Sequence, residues 1–164
     1  MPQRPGTLIF FCGKMAAGKS TLARELAARD HTVRLEQDHF IATLFPGEVV
    51  DIPSYVTYSR RLRQALTPHI LSLLATGIDV VLDFPGNTRL QRAWFRELFE
   101  SANAAHELHY IVASDERCKR QLRERSRQLP PGTPWTTEAE FDTIMAHFDP
   151  PGSDEAFNVV RHQR

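Results

Sequence analysis

The chain has little cysteine, no long apolar run and no excess of charge of either sign. Cys12 and Cys118 are its two cysteines, and no C-x-x-C spacing occurs. That argues against a disulfide framework or a zinc site. Cys12 sits inside an apolar stretch and reads as a small buried hydrophobe. No apolar run approaches membrane-spanning length, and Met1-Pro2-Gln3-Arg4-Pro5-Gly6 lacks the pattern of a signal peptide. The chain reads as cytoplasmic, with no membrane partner. Its 20 basic residues balance 20 acidic ones, so no general field draws it to nucleic acid, although a local basic cluster can still bind phosphate. Repeats and low-complexity segments are absent. Residues 1–164 are expected to form one domain, long enough to bury its own core.

What is present centres on Gly13-Lys14-Met15-Ala16-Ala17-Gly18-Lys19-Ser20, followed by Thr21. This fits G-x-x-x-x-G-K-[ST], the phosphate-binding loop (Walker A) of P-loop nucleotide enzymes. Thr7 to Cys12 before it is almost continuously apolar, as a buried parallel strand is. Thr21 to Ala28 after it is rich in helix formers, with Leu22 and Leu26 four apart. The glycines allow turns that a side chain would block. Successive N–H groups can then form an anion nest at a helix N-terminus beginning at Lys19. Lys19 is expected to reach the β- and γ-phosphates, and the Ser20 hydroxyl to ligand Mg²⁺.

The rest of the chain alternates strand and helix. Thr32 to Glu36 reads as an edge strand that delivers Glu36, Gln37, Asp38, His39 and Phe40 at its carboxyl end, where ligands bind in open α/β sheets. Asp38 is expected to accept the proton of a substrate hydroxyl, with a helix cap as the bland alternative and Glu36 as second candidate. Ala42 to Pro53 reads as loop. A long amphipathic helix follows, capped by Ser54, kinked at Pro68 and ended by Gly77. Arg60, Arg61 and Arg63 read as its solvated basic face. Ile78 to Asp83 is a third strand ending in an acid, which either helps hold Mg²⁺ or closes a turn. After the turn Phe84 to Asn87, where Asn87 or Thr88 can cap the next helix, Leu90, Trp94, Leu98 and Ala102 are spaced as a core stripe. Arg89, Arg92 and Arg96 run beside it, either as surface or as ligands of a phosphate or an acidic substrate.

Glu107 to Ala113 reads as a fourth strand, with His106 and His109 on opposite faces and so poorly placed to share a metal. Ser114 or Asp115 can cap an arginine-rich helix, Glu116 to Arg127. Cys118 and Leu122 mark its inward face, and Arg125 lies in line with them. Arg125, then Arg120 and Arg123, are the candidates to neutralise a transferring phosphoryl group. The alternative is a solvated basic helix. Leu129 to Pro134 is expected to break this lid, which spans about 115–135. Thr137-Glu138-Ala139-Glu140 is a capping-box pattern opening a short helix. Phe157 to Val160 reads as a fifth strand before a frayed tail.

Taken together, the Gly13–Ser20 loop, Val80-Val81-Leu82-Asp83 with Asn87-Thr88-Arg89, the Cys118–Ser126 helix and Phe148-Asp149-Pro150-Pro151 before Phe157-Asn158-Val159 resemble bacterial AAA-family P-loop ATP-binding proteins and kinases. That group is similar to zeta-toxin, chloramphenicol phosphotransferase and the kinase domain of polynucleotide kinase. The resemblance implies a three-layer α/β/α fold with a five-stranded parallel sheet in the order 2-3-1-4-5. It implies that Asp38 matches the general base, that Arg125 is a lid arginine, and that Phe148 to Ala156 lies near the adenine. Phe84 follows Asp83, so the paired acid of ring-forming motors is missing. The expected function is an ATP- and Mg²⁺-dependent phosphotransferase acting on a hydroxyl of a small molecule or a nucleic-acid end, with nucleic acid the less favoured. The alternative is a nucleotide-binding or ATPase switch module for a protein partner.

Overall fold

The computed structural model describes residues 3–131 and 136–164. Part of the predicted break at Leu129 to Pro134, and of the 115–135 lid, lies outside those residues. Five strands, β1 (Leu8–Gly13), β2 (Thr32–Glu36), β3 (Asp79–Asp83), β4 (His106–Val112) and β5 (Val159–Gln163), form one parallel sheet in the order β2-β3-β1-β4-β5. This is the predicted order, with β2 at the edge. Among the described residues the helices are α1 (Lys19–Ala27), α2 (Gln37–Leu44), α3 (Ile52–Ala75), α4 (Arg89–Ser101), α5 (Asp115–Gln128) and α6 (Glu138–Met145), with a short 3-10 turn at Ser153–Glu155.

The alternation of β1 explains the three layers. Leu8, Phe10 and Cys12 point to one face, where Leu62, Ile70 and Leu74 of α3 and Phe95 and Leu98 of α4 cover them. Ile9 and Phe11 point to the other, against Leu22 and Leu26 of α1, Cys118 of α5 and Phe141 of α6. A central strand covered on both faces must be apolar throughout, which is why Leu8 to Cys12 carries no polar residue. Each such fully buried large side chain contributes about 1.5–3 kcal/mol.

Several elements differ from the sequence reading. The stretch after Asp38, predicted as loop from Ala42, is helical through Leu44. At eight residues, with no side-chain cap hydrogen bond, it offers too short a pattern to show a period. The N-cap of α3 is Asp51, not Ser54. Asp51 accepts from the Ser54 N–H at 2.8 Å, and the Ser54 hydroxyl closes a capping box. On α4 the inward face is Arg92, Phe95, Leu98 and Phe99, while Leu90 is 83% exposed. The tail is not frayed: β5 pairs with β4 as far as Val112 opposite Gln163. There Arg161 lies over the Tyr110 ring, and His162 Nε2 sits 2.8 Å from His109 Nδ1. The caps at Thr88, Ser114 and Thr137 are as predicted.

Candidate active site

The cleft forms where β1, β2 and β3 end together. Between β1 and α1 the backbone turns through left-handed conformations at Ala16 (φ 61°) and Gly18 (φ 108°). Gly18 is also the N-cap of α1 and offers no side chain to its first turn. The open N–H groups and the positive end of the helix are therefore left for an anion. Lys19 folds back over this loop: its Nζ donates to the Gly13 carbonyl and, at 2.9 Å, to the Lys14 carbonyl. Burial pushes the Lys19 pKa down from 10.5 to about 8; Cys12 and Asp83 oppose that shift, and Arg125 adds to it. Lys14 turns outward instead, to Asp115 at 2.6 Å and over the Phe148 ring.

Asp83 ends β3 directly opposite Glu36 in the β2 register. Its Oδ2 is buried without a hydrogen-bond partner. Desolvation holds its pKa above the ordinary carboxylate value, against the pull of the neighbouring Ser20 hydroxyl. An unpartnered carboxylate oxygen beside a serine hydroxyl suits a hard, oxygen-seeking cation such as Mg²⁺. No cluster of three or more His, Cys, Asp or Glu able to hold a metal exists among the described residues. A cation here would complete its shell with phosphate and water oxygens, as Mg²⁺ commonly does.

Asp38 stands on the first turn of α2. Its side chain reaches solvent, but protein surrounds it on enough sides for desolvation to raise its pKa. Asp83 and Glu36 raise it further, and Lys19 lowers it. Asp38, Asp83, Glu36 and Lys19 are thus one electrostatic cluster. Glu36 is partly engaged by Arg34 at 3.1 Å. Beyond Asp38 opens a cavity of about 490 Å³ between α2 and α3, lined among others by Ile41, Phe45, Val49 and Tyr55. The Tyr55 hydroxyl accepts from the buried Gln37 amide at 2.7 Å. Desolvation pushes its pKa up to about 12, so it stays protonated.

The arginines divide. Arg125 is exposed on α5, yet near enough to Lys19 to depress its pKa. Arg120 and Arg123 line a groove with Glu138 of α6, and Arg123 pairs with Glu138. The α4 arginines engage partners within the chain. Arg89 grips Asp154 at 2.6 and 3.0 Å. Arg92 is fully buried, paired with Glu155 at 2.8 and 3.0 Å, and donates to the carbonyls of Gly86 and Asp149. Arg96 donates to the Glu155 carbonyl. Together they pin the segment 149–155 beside the loop. Sequence reasoning also missed Asn87, read only as a helix cap. Its Oδ1 accepts from Gly13 N–H at 3.0 Å, and its carbonyl accepts from Asp149 N–H at 2.8 Å. It ties the start of the phosphate loop to the pinned segment.

The AAA domain family model matches residues 8–151. No curated protein matches the chain. Among solved structures, the chain is similar to the Mycobacterium tuberculosis APS kinase CysC in complex with AMPPNP and APS. The identity is 18%, with 98% of this chain and 89% of that one covered and a TM-score of 0.63. A gluconokinase from Sinorhizobium meliloti matches at 17% identity over 98% and 83%, TM-score 0.61. A chain of the Pnkp1/Rnl/Hen1 RNA repair complex matches at 18% over 88% of this chain and 44% of its own, TM-score 0.70. At these identities the likeness is one of fold, the fold of P-loop kinases.

Proposed function

The chain belongs to the AAA domain family, and from that premise we propose that it is an ATP- and Mg²⁺-dependent phosphotransferase acting on a hydroxyl of a small molecule or a nucleic-acid end. The observation that carries this reading is the position of Asp38. It lines the open cavity between α2 and α3 on one side and shares the field of Lys19 and Asp83 on the other.

In this mechanism Lys19 exchanges the Gly13 and Lys14 carbonyls for β- and γ-phosphate oxygens, while the amides from Gly13 to Thr21 cradle the remaining phosphate charge. Ser20 and Asp83 would hold the Mg²⁺, which neutralises charge between the β- and γ-phosphates when bound. The acceptor oxygen forms a bond to the γ-phosphorus, and the bond to the β–γ bridging oxygen breaks. ADP leaves with that electron pair, and the hydroxyl proton passes to the Asp38 carboxylate. Arg125 covers the transferring group from α5. The segment about 115–135 acts as its lid within a single domain spanning 1–164.

The test is incubation with γ-labelled ATP and a panel of antibiotics, nucleotides, sugars and oligonucleotides, with Asp38→Asn alongside. Transfer should fall by about 10²–10⁴-fold in the variant, while affinity for a fluorescent ATP analogue is retained. Unchanged transfer would end the catalytic role of Asp38. Tight nucleotide binding with no label acquired by any acceptor would leave a nucleotide-binding switch module as the reading.

A further inference from the structure

The cavity beyond Asp38 has a composition at odds with a charged acceptor. Its walls are Ile41, Ala42, Phe45, Pro46 and Val49, with polar atoms from Asp38 and Tyr55, and no lining residue is cationic. The same segments expose Leu44, Val50 and Val56 to solvent, 52–79% accessible, so apolar surface continues around this part of the fold. Resting on the phosphotransferase reading above, we propose that the acceptor is an uncharged alcohol with a largely apolar body, not a sugar acid, a nucleotide or a nucleic-acid end.

The distribution of cations supports this. An anionic acceptor needs a lysine or arginine at its own site, because desolvating an unpaired charge is costly. Here the candidates are engaged elsewhere. Arg89 and Arg92 hold Asp154 and Glu155, Arg123 holds Glu138, and Arg34 holds Glu36. Lys19 and Arg125 belong to the phosphate side. Two arginines of α3 come nearest, Arg63 over the Trp94 ring at 5.8 Å and Arg61 over the Tyr58 ring at 5.5 Å, and neither lines the cavity. The charged residue in the cavity lining is Asp38, so an anionic acceptor would meet a like charge there. A neutral alcohol meets no such penalty. Its apolar body would gain from burial against Ile41, Phe45 and Val49. Its hydroxyls would find Asp38 as acceptor and Tyr55, held by Gln37, as anchor.

A pair of twin ligands tests this directly. Phenylpropanediol and phenyllactate share a body and differ by a carboxylate. Their binding to the 164-residue chain, saturated with Mg²⁺ and a non-hydrolysable ATP analogue, can be compared by saturation-transfer NMR. A short 5′-hydroxyl oligonucleotide serves as a third probe. The diol should bind at least about tenfold more tightly than its carboxylate twin, as expected for one unpaired like charge. Ala42→Arg, at an exposed position of α2 that lines the cavity, should reverse the order. Equal or tighter binding of phenyllactate or of the oligonucleotide to the unmodified chain overturns the proposal, and so does failure of the diol to bind. A fluorescent ATP analogue separates the two levels. A chain that binds no nucleotide loses the phosphotransferase reading and this inference with it. Nucleotide binding with the twin preference inverted removes this inference alone.

Discussion

Nucleotide binding should draw a proton onto the enzyme in mildly alkaline solution, and the group that takes it up is Lys19. In the free protein Lys19 is wrapped by its own loop carbonyls, and burial lowers its pKa to about 8. At about pH 8.5 the ammonium form is then populated only about a quarter of the time. A triphosphate in the nest adds several negative charges within reach of Nζ and drives the lysine to full protonation. Each nucleotide bound should take up about three-quarters of a proton at that pH, falling to about a tenth at pH 7. Titration calorimetry in two buffers of different ionisation enthalpy reads this number directly, because the apparent heats diverge in proportion to it. MgATP is fully ionised at about pH 8.5 and does not contribute. Lys19→Arg keeps the charge but cannot titrate, so its uptake should vanish. Uptake that is equal at the two pH values, or that persists in Lys19→Arg, would refute the description of Lys19 as a desolvated lysine waiting for phosphate. The same linkage sets a sign for stability. The lysine is depressed in the fold, so between about pH 8 and 10.5 the unfolded chain binds more protons, and the free protein should gain stability as pH rises through that window.

Three other perturbations have clear outcomes. Arg92→Met leaves Glu155, with its side chain only 11% exposed, without its partner; urea denaturation should show a loss of about 3–5 kcal/mol, and a loss below about 1 would contradict the buried pair's role. Asp83→Asn should weaken Mg²⁺-dependent nucleotide binding while holding or raising the melting temperature of the free protein. The desolvated carboxylate has a raised pKa, and its ionised form disfavours the fold at neutral pH. A fallen melting temperature with unchanged Mg²⁺ dependence would sink that assignment. Gly86→Ala adds a Cβ that collides with the Phe11 carbonyl and lies 2.9 Å from the Phe95 ring. Thermal denaturation should register a cost of about 1–3 kcal/mol, and nucleotide affinity should fall with it because Asn87 is displaced.

The phosphate loop and its flanking elements were legible because their cause is local. Glycines, a lysine and a serine at fixed spacing dictate a turn and a helix start whatever lies elsewhere, and β1 announces its two-sided burial by carrying apolar residues at successive positions. Asp38 and Asp83 were legible from position alone, since strands β2 and β3 deliver them to the same edge of the sheet. The α4 face was misread for a physical reason. A helical stripe built from Leu90, Trp94 and Leu98 assumes that arginine faces water. Arg92 faces the core because Glu155, some sixty residues on, satisfies its guanidinium. No period in the sequence records that pairing. The helix at Gln37–Leu44 was missed because eight residues are too few to declare a period.

The amino-acid order by itself determined that this protein carries a glycine-bounded P-loop at the head of a helix, that its sheet is parallel and covered on both faces, and which acids close its strands, since each follows from neighbouring residues or from a short period. Only the tertiary structure decided what those groups meet. It turned Lys19 onto its own loop, gave Asn87 to Gly13, committed the α4 arginines to the acids of 149–155, and left the cavity beyond Asp38 without a cation. The reason is that charged and polar groups choose partners through space, for Asn87 and the α4 arginines across sixty residues or more, where the chain's local preferences have no say.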